Sequence, residues 1–153
     1  MHPARAPRAL VAFASLVAAF GASAALGEPA GAISVDQAAL AAVRDRERER
    51  TTYTVERLVS ASGTVREYVS PAGVVFAVSW EGVSHPDLSV VLGSFAGPVR
   101  RALAQERPVP GRRSRRIETA GVVVETWGHM RALRGRAYVA ALLPAGVTLD
   151  EIR

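Results

Sequence analysis

The stretch Thr64-Val65-Arg66-Glu67-Tyr68-Val69-Ser70-Pro71-Ala72-Gly73-Val74-Val75-Phe76-Ala77-Val78-Ser79-Trp80 decides the fold class. Two runs rich in β-branched and aromatic residues flank a four-residue turn with proline second and glycine fourth. In the second run Val74, Phe76, Val78 and Trp80 alternate with Val75, Ala77 and Ser79, the period of a half-buried strand. Upstream, Tyr53 to Val59 reads as a further strand, and Ala61-Ser62-Gly63 turns it into the first run. Three strands joined by two short turns predict an antiparallel meander.

The flanks read as helix. Ser34 opens one, with Gln37 at the capping-box distance and Asp36 in the first turn. Val35, Ala38, Ala39, Ala42 and Val43 form its thin apolar stripe, and the charged run Arg44 to Arg50 extends it with opposite charges at i and i+3. After Glu81-Gly82, the run Ser84-His85-Pro86-Asp87 starts a second helix with Leu88, Val91, Leu92 and Phe95 on one face. Gly97-Pro98 reads as its end, with another helical turn or two to Glu106. The spacing then predicts a loop over Arg107 to Arg116 and a strand from Ile117 to Trp127, continuing to Leu133. Arg134-Gly135 reads as a tight turn and Arg136 to Leu143 as the returning strand; Thr148, with Glu151 three residues on, caps a last turn. The expected fold is α+β: one antiparallel sheet, made of a three-strand meander plus a C-terminal hairpin, with helices packed on one face.

The first residues set the compartment. Arg5 and Arg8 precede an uncharged apolar run from Ala9 to Phe20, and Ala22-Ser23-Ala24 places small residues where a signal peptidase reads. Residues 1–24 are therefore expected to be a signal peptide cleaved after Ala24, giving a periplasmic or secreted protein. The apolar run is shorter than the roughly 20 residues of a spanning helix, so no transmembrane segment is expected in the mature chain. Residues 25–33, rich in Gly, Ala and Pro, read as a flexible mature N-terminus, and residues 34–153 as a single α+β domain.

Composition narrows the chemistry. The 153-residue chain has no cysteine, which removes disulfides, thiol nucleophiles and thiolate metal sites. All 19 basic residues are arginine and asparagine is absent, a bias that a GC-rich genome explains without selection for guanidinium groups. His85 and His129 stand far apart, with no His-x-His or HExxH, so no metal is expected. No phosphate-binding loop or dinucleotide fingerprint occurs, and no cofactor is expected. Glu56, Glu67 and Glu81 read as ordinary strand glutamates.

Two candidate sites remain. Arg112, Arg113, Arg115 and Arg116 lie in the predicted loop and could hold phosphate or carboxylate as an anion-binding patch. Outside the cytoplasm the abundant anions are lipid headgroups and acidic envelope polysaccharides. The absence of interleaved aromatic residues argues against nucleic acid. The reading is a non-catalytic binding or interaction protein, its partner an envelope protein or an anionic lipid or polysaccharide. The alternative is a small periplasmic hydrolase using His85 and a nearby carboxylate such as Asp87, although no Gly-x-Ser-x-Gly elbow occurs.

Several segments carry a resemblance: Val65-Arg66-Glu67-Tyr68-Val69, Val75 to Trp80, Pro86-Asp87-Leu88 and Leu92-Gly93. Gly128-His129-Met130-Arg131, Gly135-Arg136-Ala137 and Leu143 to Val147 complete it. Together they resemble a secreted domain-of-unknown-function family of Gram-negative bacteria, catalogued as number 2844. The resemblance implies export and spans most of the mature chain. It supplies no catalytic residue, ligand or activity to carry over.

Overall fold

A computed structural model describes residues 25–49, 52–107, 109 and 111–153. The expected signal peptide, residues 1–24, lies outside the described residues. The mean plane of the molecule is one seven-stranded sheet in which every pair is antiparallel. In chain order its strands are β1 (Val43–Glu49), β2 (Thr54–Ser60), β3 (Gly63–Val69), β4 (Val75–Gly82), β5 (Ser114–Thr119), β6 (Val122–His129) and β7 (Ala132–Val139). In space they run β1-β2-β3-β4-β7-β6-β5. The helices are α1 (Ile33–Ala39), before the first strand, and α2 (Leu88–Leu92) and α3 (Ala96–Gln105), between β4 and β5.

The mixed α+β class holds, but the sheet is two meanders, not a meander and a hairpin. β1 to β4 form the first and β5 to β7 the second, joined where β4 pairs with β7. The run Val43 to Glu49 was expected to extend the first helix and is instead an edge strand. α1 stops at Ala39, and Ala41, at φ 47°, turns the chain into β1. The charge pattern that looked helical is satisfied across strands: Arg44 pairs with Glu56 at 3.2 Å and Arg57 with Asp45 at 3.0 Å. Gly97-Pro98, expected to end a helix, sits in the first turn of α3, where a missing N–H costs nothing. The predicted strand from Ile117 is split by a turn at Ala120-Gly121, and the hairpin turn falls at Met130-Arg131, not Arg134-Gly135. Gly135 lies inside β7, where a Cβ would fall within the Trp80 indole.

Two buried clusters occupy the opposite faces of the sheet. One combines Leu58, Val65, Val78, Trp80, Val124 and Ala137 with Val91 and Leu92 of α2, Val99 of α3 and Ile33 of α1. The other joins Tyr53, Tyr68, Phe76 and Tyr138 to Ile152, with Leu143, Val147 and Leu149 of the C-terminal segment packed against it. Phe76 was expected to share a face with Val78 and Trp80. A register shift at Tyr68/Val69 turns it over, so it meets Tyr53 edge-on at 5.9 Å. Residues 25–33, expected to be flexible, are packed: Ala25 and Leu26 are fully buried, and Gly27 N–H donates to the Val75 carbonyl at 2.8 Å. Small residues permit that approach, since a Cβ on Gly27 would sit 3.0 Å from the Phe95 ring.

Candidate functional site

Strand register decides which polar side chains share a surface. On the face carrying the C-terminal segment, Glu81, Arg134, Trp127 and Ser114 lie in one cross-strand row. Arg66, Ser79, Arg136, Glu125 and Arg116 form the next. Each row brings arginine beside glutamate. Glu81 accepts from Arg66 at 3.0 Å and lies 3.8 Å from Arg134. Glu125 accepts from Arg136 at 2.6 Å and also from Arg116, and Arg136 stacks over Trp127 with its guanidinium 5.7 Å from the ring centroid. Partial burial pushes the Glu125 carboxyl up, but the hydrogen bonds from Arg136 and Arg116 outweigh it and hold it below the usual carboxylate range.

A groove of about 550 Å³ opens over these rows, between them and the C-terminal segment. Tyr53 and Tyr68 line one wall. Tyr53 donates to Glu151 at 2.9 Å, and the Tyr68 hydroxyl accepts from Arg153 N–H at 3.0 Å and donates to its carbonyl at 3.1 Å. Trp127 lines this groove and also a second cleft, of about 430 Å³, formed by the start of β5, the end of β6 and the segment before β5. The second cleft gathers Arg112, Arg113 and Arg115 with His85 and His129, and among the described residues no carboxylate lines it.

The four arginines expected to form one flexible loop are thus divided. The loop ends at Arg113, and Arg115 and Arg116 belong to β5, on opposite faces because successive side chains alternate. Arg112 and Arg115 share Glu106, at 3.4 and 3.2 Å. Arg116 turns to the open face, toward Glu125, Glu118 and the Tyr138 hydroxyl. Arg113 is exposed and makes no ion pair among the described residues. Three of the four therefore line the cleft, and Arg116 does not.

The hydrolase alternative finds no dyad. His85 Nδ1 accepts from Trp80 Nε1 at 3.0 Å, which leaves the proton on Nε2, and burial lowers its pKa. Asp87 caps α2 by accepting from Ser89 N–H at 2.8 Å, and bonds from the Ser89 hydroxyl and N–H hold it below the usual carboxylate range. Each group is committed elsewhere. Among the described residues no group of three or more His, Cys, Asp or Glu could hold a metal ion, and no helix is long and apolar enough to cross a membrane.

The sequence reading passed over one feature and misjudged another, taking the buried Glu56 and Glu67 for ordinary exposed strand glutamates. One is the pairing of Glu125 with Trp127 and Arg134 with Arg136, whose two-residue spacing marks a common strand face. The other is Glu67, which lies between Val65 and Val69 on the inward positions of β3, directly opposite Glu56 and fully buried. As a carboxylate it has no donor for either oxygen. Burial above all, then the charge of Asp36 and a hydrogen bond to it, push its carboxyl up to about 9.

The family described as protein of unknown function (DUF2844) matches residues 22–152. No curated protein and no solved structure matches the chain.

Proposed function

The chain belongs to this family of unknown function, and we propose that it is a non-catalytic binding protein, exported by a signal peptide at residues 1–24, that holds an anionic group of the cell envelope. One observation carries the reading: Arg112, Arg113 and Arg115 converge with His85 and His129 on a cleft that no carboxylate of the described residues lines, Glu106 pairing with Arg112 and Arg115 from outside it. Guanidinium groups take phosphate or carboxylate oxygens in pairs, and a neutral His85 with its proton on Nε2 is a further donor. The matching anions in that compartment are lipid phosphates and the carboxylates or phosphates of envelope polysaccharides.

The test uses the protein from Ala25 to Arg153, with phosphatidylglycerol vesicles and an acidic polysaccharide as separate probes at low and physiological salt. Exchanging Arg112, Arg113 and Arg115 together for glutamine is expected to weaken binding about tenfold or more, since bonds to charged groups are worth about 1.5–3 kcal/mol each. Arg116→Gln is expected to leave binding unchanged, because that side chain lines neither the cleft nor the groove. Equal losses in both variants, or no binding of either probe at low salt, would overturn the proposal.

A further inference from the structure

We infer that the ligand is an anionic saccharide chain, its sugar body lying in the open-face groove and its charged group in the arginine–histidine cleft. The inference rests on the proposed anion site and extends it along the surface. Trp127 lines both cavities, so a single elongated ligand passes from one to the other along it. The groove differs in chemistry from the cleft. Arg66, Arg134 and Arg153 line it together with Glu81, Asp150 and Glu151, so donors and acceptors share one surface. A lipid tail finds charged walls there. A polyphosphate or nucleic acid meets three carboxylates. An extended peptide binds through free backbone groups at a sheet edge, but β3, β4, β7 and β6 on the groove floor are each paired on both sides. A sugar hydroxyl both donates and accepts, so it can bond to guanidinium and carboxylate neighbours alike, and the half-buried Trp127, on the side that Arg136 does not cover, offers apolar surface to a pyranose ring. The volume of about 550 Å³ lies in the range of small-ligand sites.

The experiment titrates the protein with an acidic oligosaccharide (oligogalacturonate), its neutral counterpart, inorganic phosphate and a polyglutamate peptide, by calorimetry and tryptophan fluorescence. Trp80 and Trp127 are the two tryptophans, and Trp80 touches the groove and bonds to His85, so the part of the emission change that is lost in Trp127→Phe is the part that reports Trp127. The acidic oligosaccharide is expected to bind at least about tenfold tighter than phosphate and to quench emission. Arg134→Gln, an exposed position on the groove, is expected to weaken the oligosaccharide about fivefold or more and leave phosphate unchanged. Trp127→Phe is a second variant, and retained near-ultraviolet dichroism of Trp80 verifies its fold. Phosphate and oligosaccharide binding equally, with Arg134→Gln affecting neither, would overturn the inference and leave the anion cleft standing. Neutral sugar bound as tightly as acidic sugar, with phosphate ignored, would remove the cleft and with it the single-ligand inference. Polyglutamate matching the oligosaccharide would also overturn it.

Discussion

Replacing Glu67 by glutamine is expected to stabilise the protein, and by more as the pH rises. Three carboxyl groups meet under α1: Glu67 and Asp36 are fully buried and Glu56 is 4% exposed. Glu67 and Glu56 are direct cross-strand neighbours, an arrangement that like charges make unfavourable. Burial above all, then Asp36, and Glu56 only in small part, keep Glu67 neutral, with a carboxyl pKa raised from 4.5 to about 9. The folded state then holds a proton that the unfolded chain gives up above pH 4.5. The associated stability is complete below that pH, declines at about 1.4 kcal/mol per pH unit, and is fully lost once the pH passes the folded value near 9. At pH 7 the penalty is about 3 kcal/mol, a large part of the 5–15 kcal/mol available to a domain. Glutamine has the same shape, carries a donor toward Asp36 and has no proton to hold. Urea unfolding of both proteins from pH 4.5 to 8.5 reads the difference as a midpoint shift. Near pH 4.5 the two should be close, and at pH 7 the variant should lead by about 3 kcal/mol. A difference that stays constant across this range would show that Glu67 is ionised in the fold, and would refute the argument.

Phe76→Ala removes a fully buried ring from between Tyr53 and Tyr68 and is expected to cost about 3–5 kcal/mol in thermal or urea unfolding. Gly135→Ala forces a methyl group into the Trp80 indole and should cost about 1–3 kcal/mol with altered Trp80 emission; unchanged stability would place the indole elsewhere. Tyr68→Phe removes the bonds that hold Arg153, and hydrogen exchange should accelerate over residues 147–153 while β6 and β7 keep their protection; the expected loss is about 1 kcal/mol.

What could be read from the chain was what depends on near neighbours. The central meander was legible because alternation and the Ser70 to Gly73 turn are local, and so was the place of Asp87 at the helix start, although it caps α2 from outside and Pro86 lies before the first turn. Other features depend on distant partners. Arg44 to Glu49 has the charge spacing of a helix, and only Glu56 and Arg57 on β2 make it a strand. Phe76 follows its alternation until the register slips at Tyr68/Val69, a shift set by the pairing with β3. In the site, the cluster of arginine letters was visible, but Arg115 and Arg116 separate because β5 begins at Ser114. The acidic companions of Arg66 and Arg136 come from β4 and β6, and no local pattern reports them.

The single seam between the two meanders shapes how the chain must fold. Every other strand pairing joins neighbours in sequence across short turns, whereas β4 and β7 meet only after two helices and two further strands have been laid down. Loop closure makes that pairing the slow event, while each half can zip up from its own hairpins. Damage along the seam, as at the Trp80–Gly135 contact, would then slow assembly, whereas damage at the outer strands would shorten the lifetime of the finished molecule. A chain with β1 to β4 formed and β5 to β7 not yet docked would show the bare flank of β4 to its surroundings. Under the export proposed above, that interval is when a chaperone would have a strand edge to hold.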